Sequence, residues 1–177
     1  MNRTIATWQM AGFIFTAILG TLLHFIFDWT GGNVVAALFS AVNESIWEHI
    51  KLLFYPMAVF ALLEYRAWGR EVAQFWRVKL AGIFLGLALI PVLYYTYTGA
   101  LGVEADWFNI AIFFLTAALV YRLETRFLGR EVAGTPRLWA ALALLCLMSL
   151  LFTVLTFRPP HIPLFEDPIT GTYGFQP

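Results

Sequence analysis

The stretch from Asn43 to Lys51 concentrates reactive side chains in an otherwise apolar chain. It supplies two carboxylates, a hydroxyl, an imidazole and an ammonium group, at Glu44, Glu48, Ser45, His49 and Lys51. The stretch lies where an apolar segment long enough to cross a membrane begins. Polar groups at membrane depth are costly and are commonly functional. The sequence therefore predicts a site at one end of a membrane helix.

All three histidines of the chain are predicted to lie at the membrane level of this stretch. His24 comes near the end of the first apolar segment, His49 near the start of the second, and His161 just after the last. Neutral imidazole nitrogens bind Zn²⁺, and three protein ligands leave a coordination position open for water. We therefore predict a zinc site whose metal ligands are these three histidines.

Three further side chains are candidates for chemistry at such a site. Glu48 is predicted to act as a general base for a water activated by the metal. Asp28 lies one helical turn from His24, where it can be a fourth ligand or orient the imidazole. Ser45 lies one turn before His49 and is predicted to bind a substrate oxygen or steady the ring. The remaining members of the predicted polar cluster are Asn43, Glu44, Lys51, Glu166 and Asp167.

Other functions use the same residues. The polar side chains can form a structural network that holds membrane helices together. His24 and His49, on neighbouring helices at equal depth, can be axial haem ligands, or the cluster can relay protons. A transporter is also compatible with prolines inside two predicted spans, Pro56 and Pro91, and with the short apolar segment after the first span.

The composition indicates an integral membrane protein. The chain has 177 residues, of which 60% are hydrophobic and 12% are charged, whereas a soluble domain carries about 25% charged residues. The net charge is zero, which argues against a nucleic-acid partner. Membrane lipids are the predicted surroundings, and a lipid or another amphipathic small molecule is the predicted substrate.

Five apolar segments are long enough to cross the membrane as helices. They predict an all-α integral membrane helical bundle that forms a single domain over residues 1–177. The predicted spans are 8–29, 44–65, 78–98, 107–121 and 138–157. Residues 33–42 are too short to span and are predicted to be re-entrant or interfacial. Asn43 is the predicted N-cap of the second span, with Glu44 in its first turn.

The distribution of charge predicts the orientation of the bundle. Nine of the eleven basic residues, Arg3 and the eight in two basic loops, fall on one side of a five-span topology. The positive-inside rule places that side in the cytoplasm. The N-terminus is then cytoplasmic, the tail over residues 158–177 is ordered and extracytoplasmic, and Glu64 is an interface residue. Residues 69–73 recur as residues 129–133, which suggests a duplicated helix pair.

The motif N-E-S-x-W-E-H-x-K over residues 43–51 carries a family resemblance. Together with His24-x-x-x-Asp28 before it and the proline-rich tail around His161, it resembles a family of small prokaryotic membrane proteins of unknown function. The resemblance covers most of the chain. It implies an integral protein of a prokaryotic cytoplasmic membrane and implies no activity.

A looser similarity is to the alkaline ceramidase and adiponectin-receptor superfamily of membrane hydrolases. Ser45-x-x-x-His49 and Asp28 match a recipe in which a serine, an aspartate and three histidines surround zinc. Those proteins have seven spans and a paired His-x-x-x-His on the final helix, whereas this chain has five predicted spans and a single His161. The clustering of the three histidines with Asp28 and Glu48 predicts a zinc-dependent hydrolase at the extracytoplasmic face that acts on a lipid or amphipathic amide or ester, and the similarity agrees with this hypothesis.

Overall fold

The structure is a bundle of long apolar helices. The computed structural model describes residues 2–130 and 137–176. Within these residues, five helices are long and apolar enough to cross a membrane, which confirms the all-α membrane bundle. In chain order the helices are α1 (Asn2–Trp29), α2 (Val34–Ala37), α3 (Ile46–Ala67), α4 (Phe75–Leu101), α5 (Asp106–Leu128) and α6 (Leu138–Phe157). Short 3-10 helices occupy Gly69–Glu71 and Pro163–Phe165.

Helix α3 is the centre of the bundle. Within its apolar window 72% of the residues are buried, whereas the corresponding share for the other four long helices is 17–39%. Helices α1, α4 and α6 pack against α3, and α5 packs against α1 and α4. A helix in this position exchanges its lipid contacts for protein contacts, so any polar side chain it carries must find its partner inside the bundle.

The start of α3 differs from the prediction. Ser45 is the N-cap, and its side-chain oxygen accepts a hydrogen bond from the backbone N–H of Glu48 at 3.4 Å. Ser45 and Glu48 have the spacing of a capping box. Asn43, the predicted N-cap, instead accepts a hydrogen bond from the backbone N–H of Ser45 at 3.0 Å. Glu44 therefore precedes the helix and is not in its first turn.

A stripe of small residues on α1 lets two helices approach closely. Gly12, Thr16 and Gly20 are buried, and the Thr16 hydroxyl shares a 2.8 Å hydrogen bond with the hydroxyl of Tyr121 on α5. Proline at position 56 leaves the carbonyl of Leu52 without its helical partner. That carbonyl lies against Gly20, where an added Cβ would be only 2.7 Å from its oxygen.

A second glycine pair lies between α4 and its neighbours. A Cβ at Gly82 would lie 2.3 Å from Oε1 of Glu124 and 3.0 Å from a methyl group of Val120 on α5. A Cβ at Gly86 would lie 2.7 Å from a methyl group of Leu53 on α3. The G-x-x-x-G spacing thus forms a notch into which side chains of α3 and α5 fit, as such motifs do in membranes.

Helix α5 extends two turns beyond its predicted end at residue 121. The apolar run breaks at Arg122, but the buried face continues through Glu124 and Leu128, each of which is 1% exposed. Arg122 and Arg126 consequently lie on the exposed side of the helix and not in a loop. A hydropathy scale assigns a carboxylate the same polar value whether its side chain is buried or exposed, so it predicts the end of α5 too early.

The segment after α1 has a buried side and an exposed side. Ala37 and Ser40 are fully buried, whereas Val34 and Val35 are 54% and 65% exposed. Asn33 caps α2 by accepting hydrogen bonds from two backbone N–H groups. The second copy of the suggested repeat falls partly on residues 131–136, outside the described residues.

Substituting Gly20 by Ala should destabilise the bundle. The new Cβ would meet a ring atom of Phe113 at 2.6 Å and the backbone oxygen of Leu52 at 2.7 Å, and a backbone atom cannot move aside cheaply. We expect a loss of about 1–3 kcal/mol, typical of overpacking, measured by reversible unfolding in mixed detergent micelles. Gly99→Ala is the matched control, because nothing lies within 4 Å of a Cβ on that helical glycine. Equal stability of the two variants would contradict this account of the notch.

Candidate metal centre

Two histidines and a glutamate meet where α1 ends and α3 begins. Nε2 of His24 lies 3.7 Å from Oε1 of Glu44, and Nε2 of His49 lies 3.4 Å from Oε2 of the same carboxylate. The two imidazole centroids are 5.3 Å apart. One ligand atom from each residue lies within 4.8 Å of the other two. We call this group the His–Glu cluster; among the residues described it is the one group of three that can hold a metal ion.

The local fold positions each member of the His–Glu cluster. His24 lies on the last turns of α1, and His49 lies on the first turn of α3. Helices α1 and α3 pack together, which sets the two imidazoles side by side. Glu44 comes from the connection just before the N-cap of α3. Because it is not part of the helix, its carboxylate can lie between the two rings.

A backbone carbonyl determines which nitrogen of His49 carries a hydrogen. Nδ1 of His49 lies 2.9 Å from the carbonyl oxygen of Ser45. A carbonyl only accepts, so Nδ1 must be the donor. In neutral His49 the lone pair of Nε2 then points towards Oε2 of Glu44. Two acceptors at 3.4 Å require a cation between them, either the proton of an imidazolium or a metal ion.

The electrostatics of Glu44 suit a metal ligand. A hydrogen bond from His49 lowers the pKa of Glu44 below its ordinary value, and this effect outweighs the partial burial that opposes it. The carboxylate is therefore ionised at neutral pH. Nδ1 of His24 is buried and has no hydrogen-bond partner within the described part of the chain. The cluster is open to ligands, since its three side chains are 28–42% exposed.

A half-open pocket of about 200 Å³ lies beside the cluster. Asp28 lines it from the end of α1 together with His24, and Glu44 lines it from the connection before α3. The tail residues Asp167, Ile169 and Thr170 complete the lining on the C-terminal side of the chain. A small polar group in this pocket would therefore contact the exposed carboxylate of Asp28 together with His24 and Glu44 of the His–Glu cluster.

The C-terminal tail folds back onto this end of the bundle, which we call the tail side. The backbone N–H of Phe175 donates to the carbonyl of Thr156 on α6 at 2.8 Å, and the Asn43 amide donates to the carbonyl of Gly174 at 3.2 Å. Asp167 accepts hydrogen bonds from the backbone N–H groups of Ile169 and Thr170 and so shapes the loop that lines the pocket.

His161 is not a member of the His–Glu cluster. Its ring stacks on Tyr173 within the tail, with centroids 4.5 Å apart. The Tyr173 hydroxyl in turn donates to Glu166 at 2.9 Å. The structure thus brings together two of the three predicted histidine ligands. Glu44, which the sequence placed only in the surrounding polar cluster, lies beside the two imidazoles instead.

Comparison with known proteins identifies a family. The family model described as "Family of unknown function (DUF6512)" matches residues 1–175 of the chain. The chain belongs to this family. No curated protein and no solved structure shows significant similarity to it. The expected membership of an uncharacterised family is confirmed. Because the family has no known function, the function has to be inferred from the geometry of the protein itself.

Glu48 and Lys51 form a buried ion pair in this DUF6512 protein. Nζ of Lys51 lies 2.5 Å from Oε2 of Glu48, and the two side chains are 0% and 1% exposed. Lys51 also donates to the carbonyl of Ala37 and to the hydroxyl of Thr156, both at 3.0 Å. Glu48 accepts from Thr156 at 2.7 Å and from the backbone N–H of Val42 at 3.1 Å. Each carboxylate oxygen of Glu48 thus has a partner inside the protein.

Sequence spacing could not indicate the contacts of Glu44 and Glu64. Glu44 and His49 are five residues apart, which is not a helical contact spacing, because the helix starts between them. Glu64 was placed at the membrane interface, yet it is fully buried and lies 2.5 Å from Nζ of Lys79. For Glu64, as for Lys79 and Glu124, the only signal of a buried role in the sequence is a charged residue within an apolar segment.

Substituting Lys51 by Met should be strongly destabilising. The change leaves the Glu48 carboxylate buried without its cation, and breaking a buried ion pair in this way costs about 3–5 kcal/mol. The double variant Glu48→Gln/Lys51→Met removes both charges and should recover much of the loss. Unfolding in mixed micelles measures both free energies. Simple additivity of the Glu48→Gln and Lys51→Met effects would show that the pair is not coupled.

Proposed function

We propose that this protein binds Zn²⁺ through His24, Glu44 and His49 and is a zinc-dependent membrane hydrolase. The observation that carries the proposal is the 3.4 Å approach of Nε2 of His49 to Oε2 of Glu44, a geometry in which a metal ion can take the place of the shared proton. The carbonyl of Ser45 holds this arrangement by fixing the imidazole. A carbonyl partner behind a ligating histidine is the usual support for a metal ligand.

The spacing and type of the ligand atoms suit a catalytic zinc site. Zinc bonds of about 2.0–2.1 Å in tetrahedral geometry place neighbouring ligand atoms about 3.3 Å apart. The two observed separations from Glu44, 3.4 and 3.7 Å, are close to that value. Two histidines and one glutamate form a ligand set of hydrolytic zinc enzymes that leaves a fourth position for water or substrate. Here the cluster borders a pocket.

Haem is less well supported than a small ion. His24 and His49 would have to bind iron from opposite faces of a porphyrin. The carboxylate of Glu44 lies against both Nε2 atoms, where the porphyrin would need to pass. A single metal ion, in contrast, can bind Glu44 as its third ligand together with the two imidazoles.

The proposed reaction is hydrolysis of an ester or amide. Bound zinc supplies Lewis-acid chemistry and lowers the pKa of a coordinated water to about 7. Water adds across the acyl C–O or C–N bond, so that the hydroxyl joins the acyl carbon and a proton leaves with the alcohol or amine. We assign the proton transfer to Asp28, whose exposed carboxylate lines the pocket.

The catalytic roles predicted for Glu48 and Ser45 become supporting roles in this proposal. Both oxygens of Glu48 are engaged by Lys51, Thr156 and Val42. The side chain of Ser45 caps α3, and its carbonyl orients His49. Both residues are therefore positioning residues that hold the ligands in place.

The location of the site supports a lipid or other amphipathic substrate. The pocket lies at the ends of membrane-spanning helices, where a headgroup can enter while its acyl chain stays in lipid. A volume of about 200 Å³ fits a small polar group and not a whole lipid. With the N-terminus in the cytoplasm, as the basic loops predict, the reaction takes place at the extracytoplasmic face.

Zinc binding is tested on protein purified in mild detergent, by elemental analysis and chelator competition. We expect about one zinc per chain in the wild type and at least a 100-fold weaker affinity in His49→Ala and Glu44→Gln. His161→Ala is the matched control and should keep the metal. Acidification below the ordinary histidine pKa of about 6.5 should weaken binding, since protons compete for the imidazoles.

The outcomes of this measurement separate the possible ligand sets. Loss of zinc in His161→Ala would favour the three-histidine site expected from the sequence. A Soret absorption band would indicate haem instead of zinc. Absence of both metal and haem from a folded wild type, even after zinc is added, would overturn the metal site and leave a structural role for the cluster.

Hydrolysis is tested with the zinc-loaded protein and micellar N-acyl amides and acyl esters that carry polar headgroups. We expect turnover by the wild type and a decrease of about 10²–10⁴-fold in Asp28→Asn, the usual contribution of a general acid–base group, with zinc content unchanged. Asp106→Asn, the same substitution at another exposed aspartate, should keep full activity. Stoichiometric zinc without turnover of either substrate class would overturn the hydrolase and favour a metal-binding or transport protein.

A further inference from the structure

A second cluster of charged side chains is buried at the end of the bundle opposite the tail side. Lys79 on α4 lies between two carboxylates, with Nζ 2.5 Å from Oε2 of Glu64 on α3 and 2.5 Å from Oε2 of Glu124 on α5. Gln9 on α1 completes the group. All four side chains are 0–2% exposed. We call Glu64, Lys79 and Glu124 the buried triad.

The buried triad has more carboxylates than cations. Two ionised glutamates and one ammonium would leave one net negative charge inside the bundle. An uncompensated charge at membrane depth costs several kcal/mol, and such groups commonly bind a proton instead. The Glu48–Lys51 pair provides an internal comparison, because its one carboxylate and one ammonium already balance.

The two carboxylates of the triad differ in their contacts. The amide of Gln9 donates to Oε1 of Glu64 at 2.7 Å, and Lys79 lies against Oε2. Oε1 of Glu64 thus has a hydrogen-bond donor, and its Oε2, which has no hydrogen-bond partner within the described residues, is instead in an ion pair with the ammonium group. Both oxygens of Glu64 therefore lie against a positive or donating group, which suits an ionised carboxylate. The side-chain oxygen of Gln9 lies 3.5 Å from Nζ of Lys79. Lys79 therefore has three acceptors, which suits a charged ammonium.

Glu124 is held at one oxygen only. Its Oε2 accepts from Lys79 at 2.5 Å. Its Oε1 is buried and lacks a hydrogen-bond partner in the part of the chain that the structure describes. Gly82 borders this oxygen, where a Cβ would lie 2.3 Å away. The glycine thus leaves room for the oxygen and supplies no donor side chain.

We propose that the buried triad is a proton-binding site and that Oε1 of Glu124 carries one exchangeable proton. The proton makes the triad neutral, with Glu64 and Lys79 as the ion pair. Within residues 2–130 and 137–176, the other titratable group that faces the triad is Tyr121, whose ring lies 5.1 Å from Nζ of Lys79 and whose hydroxyl is hydrogen-bonded to Thr16. Tyr121 supplies no charge that would replace the proton.

The proton-binding site is separate from the proposed metal centre. Glu64 is fifteen residues after His49 on α3, which corresponds to about 22 Å along a helix. The two sites share no residue. Buried carboxylates that exchange protons are the elements from which membrane proton relays are built.

The proton is tested by infrared spectroscopy of the full-length protein in detergent or lipid. We expect the wild type at neutral pH to show the carbonyl-stretch band of a protonated carboxylic acid. Glu124→Gln should lose the band. Glu64→Gln should lose it too, because Glu124 then ionises to pair with Lys79. Lys79→Met should strengthen it. Glu71→Gln, which changes an exposed carboxylate at the same end of the bundle, should leave it unchanged.

The pH dependence of unfolding is a second readout. The native triad holds a proton that an exposed glutamate releases above its ordinary pKa of about 4.3, so the native state binds more protons than the unfolded state. Stability then falls as pH rises, by up to tenfold per pH unit in the unfolding equilibrium. The fall should be present in the wild type and absent from Glu124→Gln, because the substitution removes the titrating group.

Two results would overturn the proton-binding site. One is an acid band that persists unchanged in both Glu124→Gln and Glu64→Gln, or that is missing from the wild type. The other is failure of both Glu→Gln variants to fold while Glu71→Gln folds, which would show that the bundle requires two ionised carboxylates. Neither result bears on zinc binding at the tail side.

Discussion

The burial of charge on α3 is the constraint on which the bundle depends. Glu48, Lys51 and Glu64 are each 0–1% exposed on the central helix. In a membrane such groups have no water to bind, so their partners must come from protein. Those partners come from five other segments of the fold: Gln9 of α1, Ala37 of α2, Val42 of the connection before α3, Lys79 of α4 and Thr156 of α6. Apolar packing alone would allow these helices to rotate, whereas the buried charges select one arrangement.

The buried Glu48–Lys51 pair also helps to position the His–Glu cluster, although neither residue is a member of it. The Glu48–Lys51 pair binds the carbonyl of Ala37 and the N–H of Val42, and so holds the connection that carries Glu44. Thr156 links the pair to the tail, because its hydroxyl contacts both charges while its carbonyl accepts from Phe175. One wall of the pocket therefore depends on a buried ion pair. A change at Lys51 would therefore disturb the His–Glu cluster indirectly, through the path of the chain on each side of it.

The sequence could predict the helices far better than the contacts between their polar groups. Hydropathy and charge yield five spans, and the spacing of Gly12, Thr16 and Gly20 predicts a packing stripe on α1. Glu44 and Glu48 look equivalent in the sequence, yet one lies at a pocket and the other is buried. The difference arises because Ser45, not Asn43, ends the connection and starts the helix. The partners of Glu64 come from three distant segments, which no local pattern can indicate.

The path of the tail could not be predicted from the sequence either. Gly174 adopts a φ of 61°, in the left-handed region, and a Cβ there would lie 2.4 Å from the carbonyl oxygen of Thr156. This contact directs the last residues across the end of α6 and leaves His161 stacked on Tyr173. Three histidines at one membrane level therefore do not make one site. Membrane topology specifies depth, whereas a metal site also requires lateral placement, and only the packed structure specifies that.

The Glu48–Lys51 pair and the His–Glu cluster differ in burial and in how their polar atoms are paired. This difference argues that the His–Glu cluster does more than hold helices together. A network that only joins helices satisfies its own donors and acceptors and is shielded from solvent, as Glu48, Lys51 and Thr156 do. In the His–Glu cluster a carboxylate lies between two imidazoles that are about one-third exposed beside a pocket. A protein gains little stability from half-exposed ion pairs. Such an arrangement is useful where a cation and a further ligand must reach it, and the neighbouring carboxylate of Asp28 gives that ligand a partner.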